Sequence, residues 1–209
     1  MIMSPIRSEL HQSSQINRTL ILGNGFVAKK LFKKFKSRGH VTLCTDRLTL
    51  EFSGIDDYQK LIAVVDTFQP SMLINTIGVL EEDFEAFEKN FWSNGFPAWC
   101  LFEISKEYAK SERKLKIILI STTAAGQPRI KYPLYAATKS FELALFKTAS
   151  EYFNKTSVSW CMVTLPALNG GLRKRIEGAS KMNFKFSNDP IDKMFLHVEN
   201  FDHGELVEF

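Results

Sequence analysis

The stretch RTLILGNGFVAKKLFKKFKSRG, residues 18–39, decides the fold class of this 209-residue chain. It opens with a short and almost wholly apolar run, which is typical of a β-strand buried on both faces. Two glycines follow, and apolar side chains then recur at helical spacing until Gly39, where the helix should end. The stretch therefore predicts a strand, a tight turn and a helix in that order.

The same alternation of strand and helix continues along the chain. Short apolar runs predict further strands, at 40–46, 71–79, 114–121, 157–166 and 204–209, with a short one at 48–52. Amphipathic stretches predict further helices, at 56–70, 82–110, 132–153 and 189–200, the second of them broken near Gly95 and Pro97. No internal repeat or domain linker interrupts this pattern.

Strands that alternate with helices, and that are apolar on both faces, indicate the α/β class. We predict a single domain over residues 18–209, a three-layer, doubly wound parallel sheet of the Rossmann-like type. Residues 1–17 are polar and predicted to form a flexible arm, and residues 168–190 a short substrate region. In such a fold, ligands bind beyond the carboxyl ends of the strands.

Composition narrows the possible functions. Hydrophobic residues make up 44% of the chain, charged residues 24%, and the net charge is +4. The basic residues are scattered over helix-like segments and favour solvated helix faces or a small phosphate-bearing ligand over nucleic acid. The three cysteines form no pairing motif, the four histidines have no metal-ligand spacing, and no apolar run reaches 18 residues. We expect a cytoplasmic protein without a metal or a membrane segment.

The first strand ends in a glycine motif. Gly23, Gly25 and Ala28 have the spacing G-x-G-x-x-A. The first glycine permits a tight turn, the second lets the backbone approach a pyrophosphate, and the small third residue lets the helix pack closely. The helix N-terminus then offers unpaired N–H groups to the phosphate. We predict a dinucleotide site at Gly23, Asn24, Gly25, Phe26 and Val27, with a plain glycine turn as the alternative.

The second strand ends in Asp46 and Arg47, where a Rossmann unit contacts the adenosine ribose. Asp46 would accept hydrogen bonds from the ribose hydroxyls and favour NAD, whereas Arg47 would pair with a 2′-phosphate and favour NADP. With Lys29 and Lys30 nearby, we lean slightly to NADP. The alternative is that the two residues form an exposed turn.

The later motifs follow in a recognisable order. The third main strand ends in NTIG, residues 75–78, with Asn75 and Gly78 as cofactor contacts. Asn94 lies in the long helical region, STTAAG (121–126) ends the most apolar strand, and YAATK (135–139) opens a helix. With these motifs, the chain resembles the short-chain dehydrogenase/reductase family over about residues 19–168. The segment QPSMLINTIG, residues 69–78, also looks like the family's nucleotide-sugar branch.

The resemblance implies a catalytic tetrad. Tyr135 would be the acid or base for hydride transfer between NAD(P) and a carbonyl or alcohol. Lys139, one helical turn away, would lower the pKa of the phenol and hold the nicotinamide ribose. Either Thr122 or Thr123 would hydrogen-bond the substrate oxygen, and Asn94 would kink its helix and hold a relay water.

Two features depart from the family's pattern. Pro166 is predicted to contact the cofactor, but Ala-Leu-Asn follows it where the family has a glycine and then a threonine that contacts the nicotinamide. The chain after Pro166 is short, which favours a small carbonyl or alcohol substrate. The alternatives are a catalytically weak NAD(P)-binding sensor or structural subunit, and a nucleotide-sugar epimerase or reductase.

The helices with Asn94 and Tyr135 are rich in large apolar side chains. These are Phe91, Trp92, Trp99, Phe102, Phe141, Leu145 and Phe146. Family members commonly pair through these helices, so we predict a homodimer, with ordinary core packing as the alternative.

Overall fold

The computed structural model describes residues 17–46, 50–80, 86–127, 129–166 and 189–209. The strands in these ranges are β1 (Arg18–Leu22), β2 (Val41–Cys44), β3 (Met72–Asn75), β4 (Leu115–Thr122), β5 (Val158–Leu165) and β6 (Glu205–Glu208). The helices are α1 (Phe26–Ser37), α2 (Asp56–Phe68), α3 (Ala86–Asn90), α4 (Phe96–Lys110), α5 (Pro133–Tyr152) and α6 (Asp189–Val198). The predicted arm and substrate region lie almost wholly outside the described residues.

The described strands form one parallel sheet in the order β2-β1-β3-β4-β5-β6. The chain passes from β1 to β2 on one side and then returns to place β3 on the other side of β1. The strand order therefore switches between β1 and β3, and a crevice is expected beyond their carboxyl ends. The register pairs Leu22 with Asn75 there, which brings the glycine motif beside the NTIG motif.

Helices cover both faces of the sheet and make the three predicted layers. On one face, side chains of β1, β3, β4 and β5 pack against α2, α4 and α5. On the other face, alternate residues of the same strands pack against α1 and α6. Because both faces are covered, the central strands β1, β3, β4 and β5 are apolar at most consecutive positions. The predicted α/β class and doubly wound parallel sheet are confirmed.

The prediction of a short strand at 48–52 is wrong for residues 50–52, the part of it that the structure describes. Leu50 donates its N–H to the carbonyl of Asp46, as in a turn, and Phe52 has a φ of 54°. A left-handed backbone is incompatible with an extended strand. Both side chains are nonetheless buried in the core, so the apolar pattern reflects burial and not pairing.

The predicted break near Gly95 and Pro97 is a π-helical turn over Phe91–Gly95, which joins α3 to α4. A Cβ atom on Gly95 would lie 3.2 Å from Cδ1 of Phe141 on α5. A side chain at this position would press on Phe141, because α5 packs against the turn at close range. The extra residue of a π-helical turn rotates the following side chains, and such turns are frequent at functional sites.

The apolar residues of these helices divide between core and surface. Phe102, Leu145 and Phe146 are buried, as the core alternative predicts. Phe91 and Trp99 remain 37% and 41% exposed. The structure therefore leaves an aromatic surface on this side, to which Phe87 and Tyr152 add exposed rings.

The cysteines are free thiols, as expected. Burial raises the pKa of Cys44 to about 11 and the pKa of both Cys100 and Cys161 to about 12. Thiols in this state are poor nucleophiles. In the part of the chain that the structure describes, no helix has the length and apolar character needed to cross a membrane.

Candidate active site

The glycine turn after β1 is held by threonines of both neighbouring strands. Gly23 has a φ of 101°, and a Cβ atom on it would lie 3.0 Å from Oγ1 of Thr76. Its N–H donates to Oγ1 of Thr45 at 3.1 Å, and the Thr76 hydroxyl donates to the carbonyl of Leu22 at 2.8 Å. The turn therefore requires glycine, and its position is set from the ends of β2 and β3.

The N-terminus of α1 begins directly after this turn. Gly25 precedes the helix without a side-chain cap, and a Cβ atom on it would meet nothing within 4 Å. The first N–H groups of the helix thus have no side-chain partner from the capping position. Asn24 is exposed, Phe26 and Val27 are partly buried, and Ala28 is buried against the sheet. This geometry fits a bound phosphate, because it combines open space with uncapped N–H groups.

The predicted ribose contacts lie at the end of β2. Asp46 follows Cys44 by two residues, and Cys44 pairs with Ile21 of β1. The Asp46 side chain is therefore on the same sheet edge as the glycine turn. Arg47 lies outside the described residues. Lys29 is exposed, whereas Nζ of Lys30 lies 5.6 Å from the ring centre of Phe26.

The end of β3 connects the glycine turn to α5. Asn75 is buried, and its Oδ1 accepts a hydrogen bond from the N–H of Ile77 at 3.1 Å. It thus shapes its own loop and does not cross-link a neighbouring strand in the described contacts. A Cβ atom on Gly23 would lie 3.3 Å from Cγ1 of Ile77, whose carbonyl faces Nζ of Lys139 at 3.4 Å. Gly78 is partly exposed beside them.

Asn94 lies in the π-helical turn and is fully buried. Its Oδ1 accepts from the N–H of Val79 at 2.7 Å, and its Nδ2 donates to the Val79 carbonyl at 2.9 Å. Nδ2 also lies 3.1 Å from Oδ1 of Asn90 and 3.3 Å from Oγ1 of Thr138. Asn94 therefore joins the loop after β3 to α5 next to Lys139.

Tyr135 and Lys139 lie one turn apart on α5. The Lys139 Nζ is 5.9 Å from the ring centre of Tyr135, which is partly buried. The lysine is itself buried, and both oxygens of Glu142 accept from its Nζ, at 2.9 and 3.0 Å. Glu142 has no exposed surface. The sequence reasoning missed this carboxylate, although its position three residues after Lys139 places it on the same helix face.

The carboxylate changes the electrostatics that the Tyr-x-x-x-Lys spacing predicts. Burial raises the pKa of Tyr135, Lys139 opposes the rise, and Glu142 adds to it. Lys139 therefore lowers the pKa of the phenol, as predicted, but burial outweighs this effect and the net pKa of Tyr135 is raised. Burial alone would lower the pKa of Lys139, but the charge of Glu142 reverses this, and the pKa is raised. Burial raises the pKa of Glu142 to about 7, against the effect of Lys139.

Three hydroxyls follow one another at the end of β4. Thr123 is exposed, and its Oγ1 accepts from Arg129 at 2.8 Å. Thr122 is partly buried and, by the alternation of a strand, is on the face covered by α1 and α6. Ser121 is on the opposite face, toward α5, and its buried hydroxyl has no hydrogen-bond partner among the described residues. Pro166 follows β5 directly and is partly buried.

The comparisons with known proteins fit this geometry. No family model matches the sequence, and no curated protein sequence matches it either. The structure is similar to that of a 4-hydroxyisoleucine dehydrogenase complexed with NADH, with a TM-score of 0.78 and 16% identity, over 92% of this chain and 96% of that one. It is also similar to ElxO with NADP bound, with a TM-score of 0.76 and 17% identity over 93% and 97%.

A third similar structure is a short-chain dehydrogenase/reductase from Vibrio parahaemolyticus, with a TM-score of 0.71 and 17% identity over 91% of this chain and 99% of that one. The chain shares their Rossmann-like fold. Identities this low show the fold alone, so the chemistry of this chain has to be argued from its own residues.

Of the predicted residues, the structure brings Gly23, Asn75, Asn94, Tyr135 and Lys139 to the carboxyl edge of the sheet or to the helices that flank it. The residues that sequence reasoning missed are Thr45, Thr76, Ser121 and Glu142. Thr45 and Thr76 follow β2 and β3 directly, and this placement is the signal that could have identified them. Among the described residues, no group of His, Cys, Asp or Glu side chains could hold a metal ion.

Proposed function

We propose that the protein is an NAD(P)-dependent oxidoreductase that transfers hydride between nicotinamide and a small carbonyl or alcohol substrate. The observation that carries this proposal is the contact between the glycine turn and the Tyr–Lys helix through Ile77. Ile77 lies against Gly23 on one side and faces Lys139 Nζ on the other. A phosphate-binding turn and a potential acid–base pair therefore line one crevice.

The cofactor would lie along the edge of the sheet at the switch in strand order. The uncapped N-terminus of α1 would bind the pyrophosphate, and Asp46 the adenosine ribose. Asp46 would favour NAD and Arg47 would favour NADP, and we favour NADP slightly. When bound, the nicotinamide cofactor would supply or accept the hydride. Asn75, Gly78 and Pro166 would line its nicotinamide half.

Tyr135 would exchange the proton. The pKa of Tyr135 is raised above the ordinary tyrosine value of 10.0, so the phenol is protonated at neutral pH. It can donate a hydrogen bond and then its proton to a carbonyl oxygen. Lys139 would hold the nicotinamide ribose. Asn94 would position the helix through Val79 and Thr138 and hold a relay water.

A hydroxyl at the end of β4 would hold the substrate oxygen. Thr122 and Thr123 remain candidates for this role. Ser121 is a third, favoured by its position toward α5 and its unpartnered hydroxyl.

Two measurements test the proposal. Titration with NADPH or NADH should quench the fluorescence of the three tryptophans, and turnover should then be measured on a panel of small aldehydes and ketones. Tyr135→Phe should reduce kcat by about 10² to 10⁴ while cofactor binding persists. Tyr132→Phe is the matched control, because this partly exposed tyrosine precedes the helix and has Ala136 four residues on. If neither cofactor binds, the oxidoreductase proposal fails.

A second function is favoured by one observation. Lys139 donates to both oxygens of Glu142 and lies against the carbonyl of Ile77, so its ammonium is committed to protein groups. A cofactor-binding sensor or structural subunit would need no free lysine. Under this alternative, the cofactor quenches the tryptophans but no carbonyl is turned over, and Tyr135→Phe changes nothing.

For the assembly, we propose a homodimer through α4 and α5. The support is that Trp99 of α4 and Tyr152 of α5 are exposed and both contact Phe102, while Phe87 and Phe91 are exposed in the segment before α4. Exposed aromatic rings are typical of protein interfaces.

A further inference from the structure

The buried ion pair between Lys139 and Glu142 differs from the two ion pairs along α4. Lys106 pairs with Glu103, and Lys110 with Glu107, at the same spacing of three residues, but both pairs are partly or largely exposed to water. The Lys139 and Glu142 side chains are only 2% and 0% exposed. A buried pair is weak support for stability because both charges lose their hydration. Its presence beside Tyr135 points to a role in the site.

Glu142 fixes the position of the Lys139 ammonium group. Both carboxylate oxygens accept from Nζ, and the Ile77 carbonyl is a further acceptor at 3.4 Å. These contacts fix the position of Nζ between the loop after β3 and the helix. They also place the carboxyl group of Glu142 beside the positive charge that would otherwise act alone on Tyr135.

We propose that Glu142 is a positioning residue that holds Lys139 and neutralises its charge, so that Tyr135 remains a phenol and the site is tuned to protonate a carbonyl rather than to deprotonate an alcohol. This inference rests on the proposed oxidoreductase function for its catalytic consequence. Its electrostatic part concerns only the three side chains on α5.

The groups around the phenol support this role. Lys139 and Glu142 are the charged groups that shift the pKa of Tyr135 among the described residues, and they act in opposite directions. The elements packed against this part of α5 add uncharged groups: the amide of Asn94 donates to Thr138, and the carbonyl of Ile77 accepts from Lys139. Burial has the largest effect on the pKa of the phenol and raises it. Because the charges of Lys139 and Glu142 oppose each other, no net positive charge offsets this rise.

The proposed reaction balances in the direction of reduction. With a reduced nicotinamide cofactor bound, the carbonyl carbon would accept a hydride, with its two electrons. The carbonyl oxygen accepts the phenol proton of Tyr135 as the O–H bond of the tyrosine breaks. The products are the alcohol, the oxidised cofactor and a phenolate, which takes its next proton from water.

The test measures the phenol directly and needs no substrate. Tyrosinate absorbance is followed during an alkaline titration, and the curve of Tyr135→Phe is subtracted to isolate Tyr135. We expect the midpoint of Tyr135 in the unmodified protein to lie above that of an ordinary tyrosine. In Glu142→Gln, which keeps the side-chain shape without its charge, the midpoint should move to lower pH, with the curve of the Tyr135→Phe/Glu142→Gln double variant subtracted. Glu103→Gln, at the exposed pair, should leave it unchanged.

Two outcomes would overturn the inference. One is a Tyr135 midpoint in the unmodified protein at or below that of an ordinary tyrosine. The other is an unchanged midpoint in folded Glu142→Gln. Should that variant not fold, the double variant Lys139→Met/Glu142→Leu replaces the pair with apolar groups of similar size. It should keep the high midpoint, because both charges are removed together, and a clear downward shift would contradict the proposal.

The titrations test the role of Glu142 separately from the proposed oxidoreductase function. If the titrations behave as expected but neither NADPH nor NADH quenches tryptophan fluorescence, Glu142 controls Tyr135 and the oxidoreductase proposal fails. If cofactor binds and carbonyls are turned over but the midpoint is insensitive to Glu142, only the positioning role fails. In an active enzyme, Glu142→Gln should also move the pH profile of alcohol oxidation to lower pH.

Discussion

The side chain of Asn94 forms a two-way pair with the backbone of Val79, accepting its N–H at 2.7 Å and donating to its carbonyl at 2.9 Å. These are the two hydrogen bonds that a neighbouring β-strand could make with Val79. The Asn94 side chain therefore bridges the π-helical turn and the loop after β3. Both residues are buried. The loop that faces Lys139 is thus held in place by a side chain from a different helix.

Removing this pair should destabilise the protein. Asn94→Ala leaves two buried backbone groups of Val79 without their partner, at about 1 to 3 kcal/mol for each unsatisfied group. We expect the free energy of unfolding, measured by urea denaturation, to fall by about 3 kcal/mol. Asn154→Ala, at an exposed position after α5, is the control and should change it by less than about 0.5 kcal/mol. Equal urea denaturation midpoints for Asn94→Ala and Asn154→Ala would contradict this account.

Alanine substitutions at the two glycines of the turn should have different effects, one on stability and the other on dinucleotide binding. Gly23→Ala forces a side chain into a φ of 101° and against Thr76, so it should lower the free energy of unfolding by about 1 to 3 kcal/mol. Gly25→Ala meets no atom within 4 Å in the protein, so stability should be unchanged. Its methyl group would instead occupy the space assigned to the phosphate. We expect the Kd for the dinucleotide, measured by tryptophan quenching, to rise by at least about tenfold, a loss of roughly 1.4 kcal/mol.

The pH dependence of stability should reveal the Glu142 carboxyl. Burial raises its pKa from the ordinary 4.5 to about 7, so the folded state binds this proton more tightly than the unfolded state. The free energy of unfolding should therefore fall as pH rises from about 4.5 to about 7, by on the order of 1 to 3 kcal/mol, and then level off. The decline should be absent in Glu142→Gln.

The difference between the two curves is the quantity to measure, because another group works in the opposite sense. Burial lowers the pKa of His40, so its contribution is present above the ordinary histidine pKa and is lost as pH falls. His40 is the same in both proteins and cancels in the difference. A difference curve without slope between pH 4.5 and 7 would show that the pKa of Glu142 is not raised.

The proposed homodimer can be tested at Trp99. Its indole is 41% exposed on α4 and stacks on Phe102, with the ring centres 5.8 Å apart. Trp99→Arg should convert a dimer to a monomer in sedimentation velocity, because a charge cannot be buried there without a partner. Leu196→Arg is the control: Leu196 is 61% exposed on α6, across the sheet from α4, and should leave assembly unchanged. A monomeric unmodified protein would rule out the proposal.

The sequence alone determined the alternation of elements and their class. Runs such as LIL (20–22) and IILI (117–120) are apolar at consecutive positions, as a strand covered on both faces requires. The glycines of GNG and the tyrosine and lysine of YAATK could likewise be located by spacing, because a turn and a helix are local structures. The same local reasoning predicted a strand at 48–52, where Phe52 is buried by a left-handed turn instead.

Only the tertiary structure decided which of these groups act on one another. Thr45 and Thr76 are distant in sequence from Gly23 and reach it because β2 and β3 flank β1. Glu142 reads in the sequence as one more charged residue on an amphipathic helix. Packing against the sheet removes it and Lys139 from water, and burial is what turns a weak surface pair into a strong influence on Tyr135. Spacing identifies neighbours along a helix, whereas the dielectric environment that sets their charges depends on the whole fold.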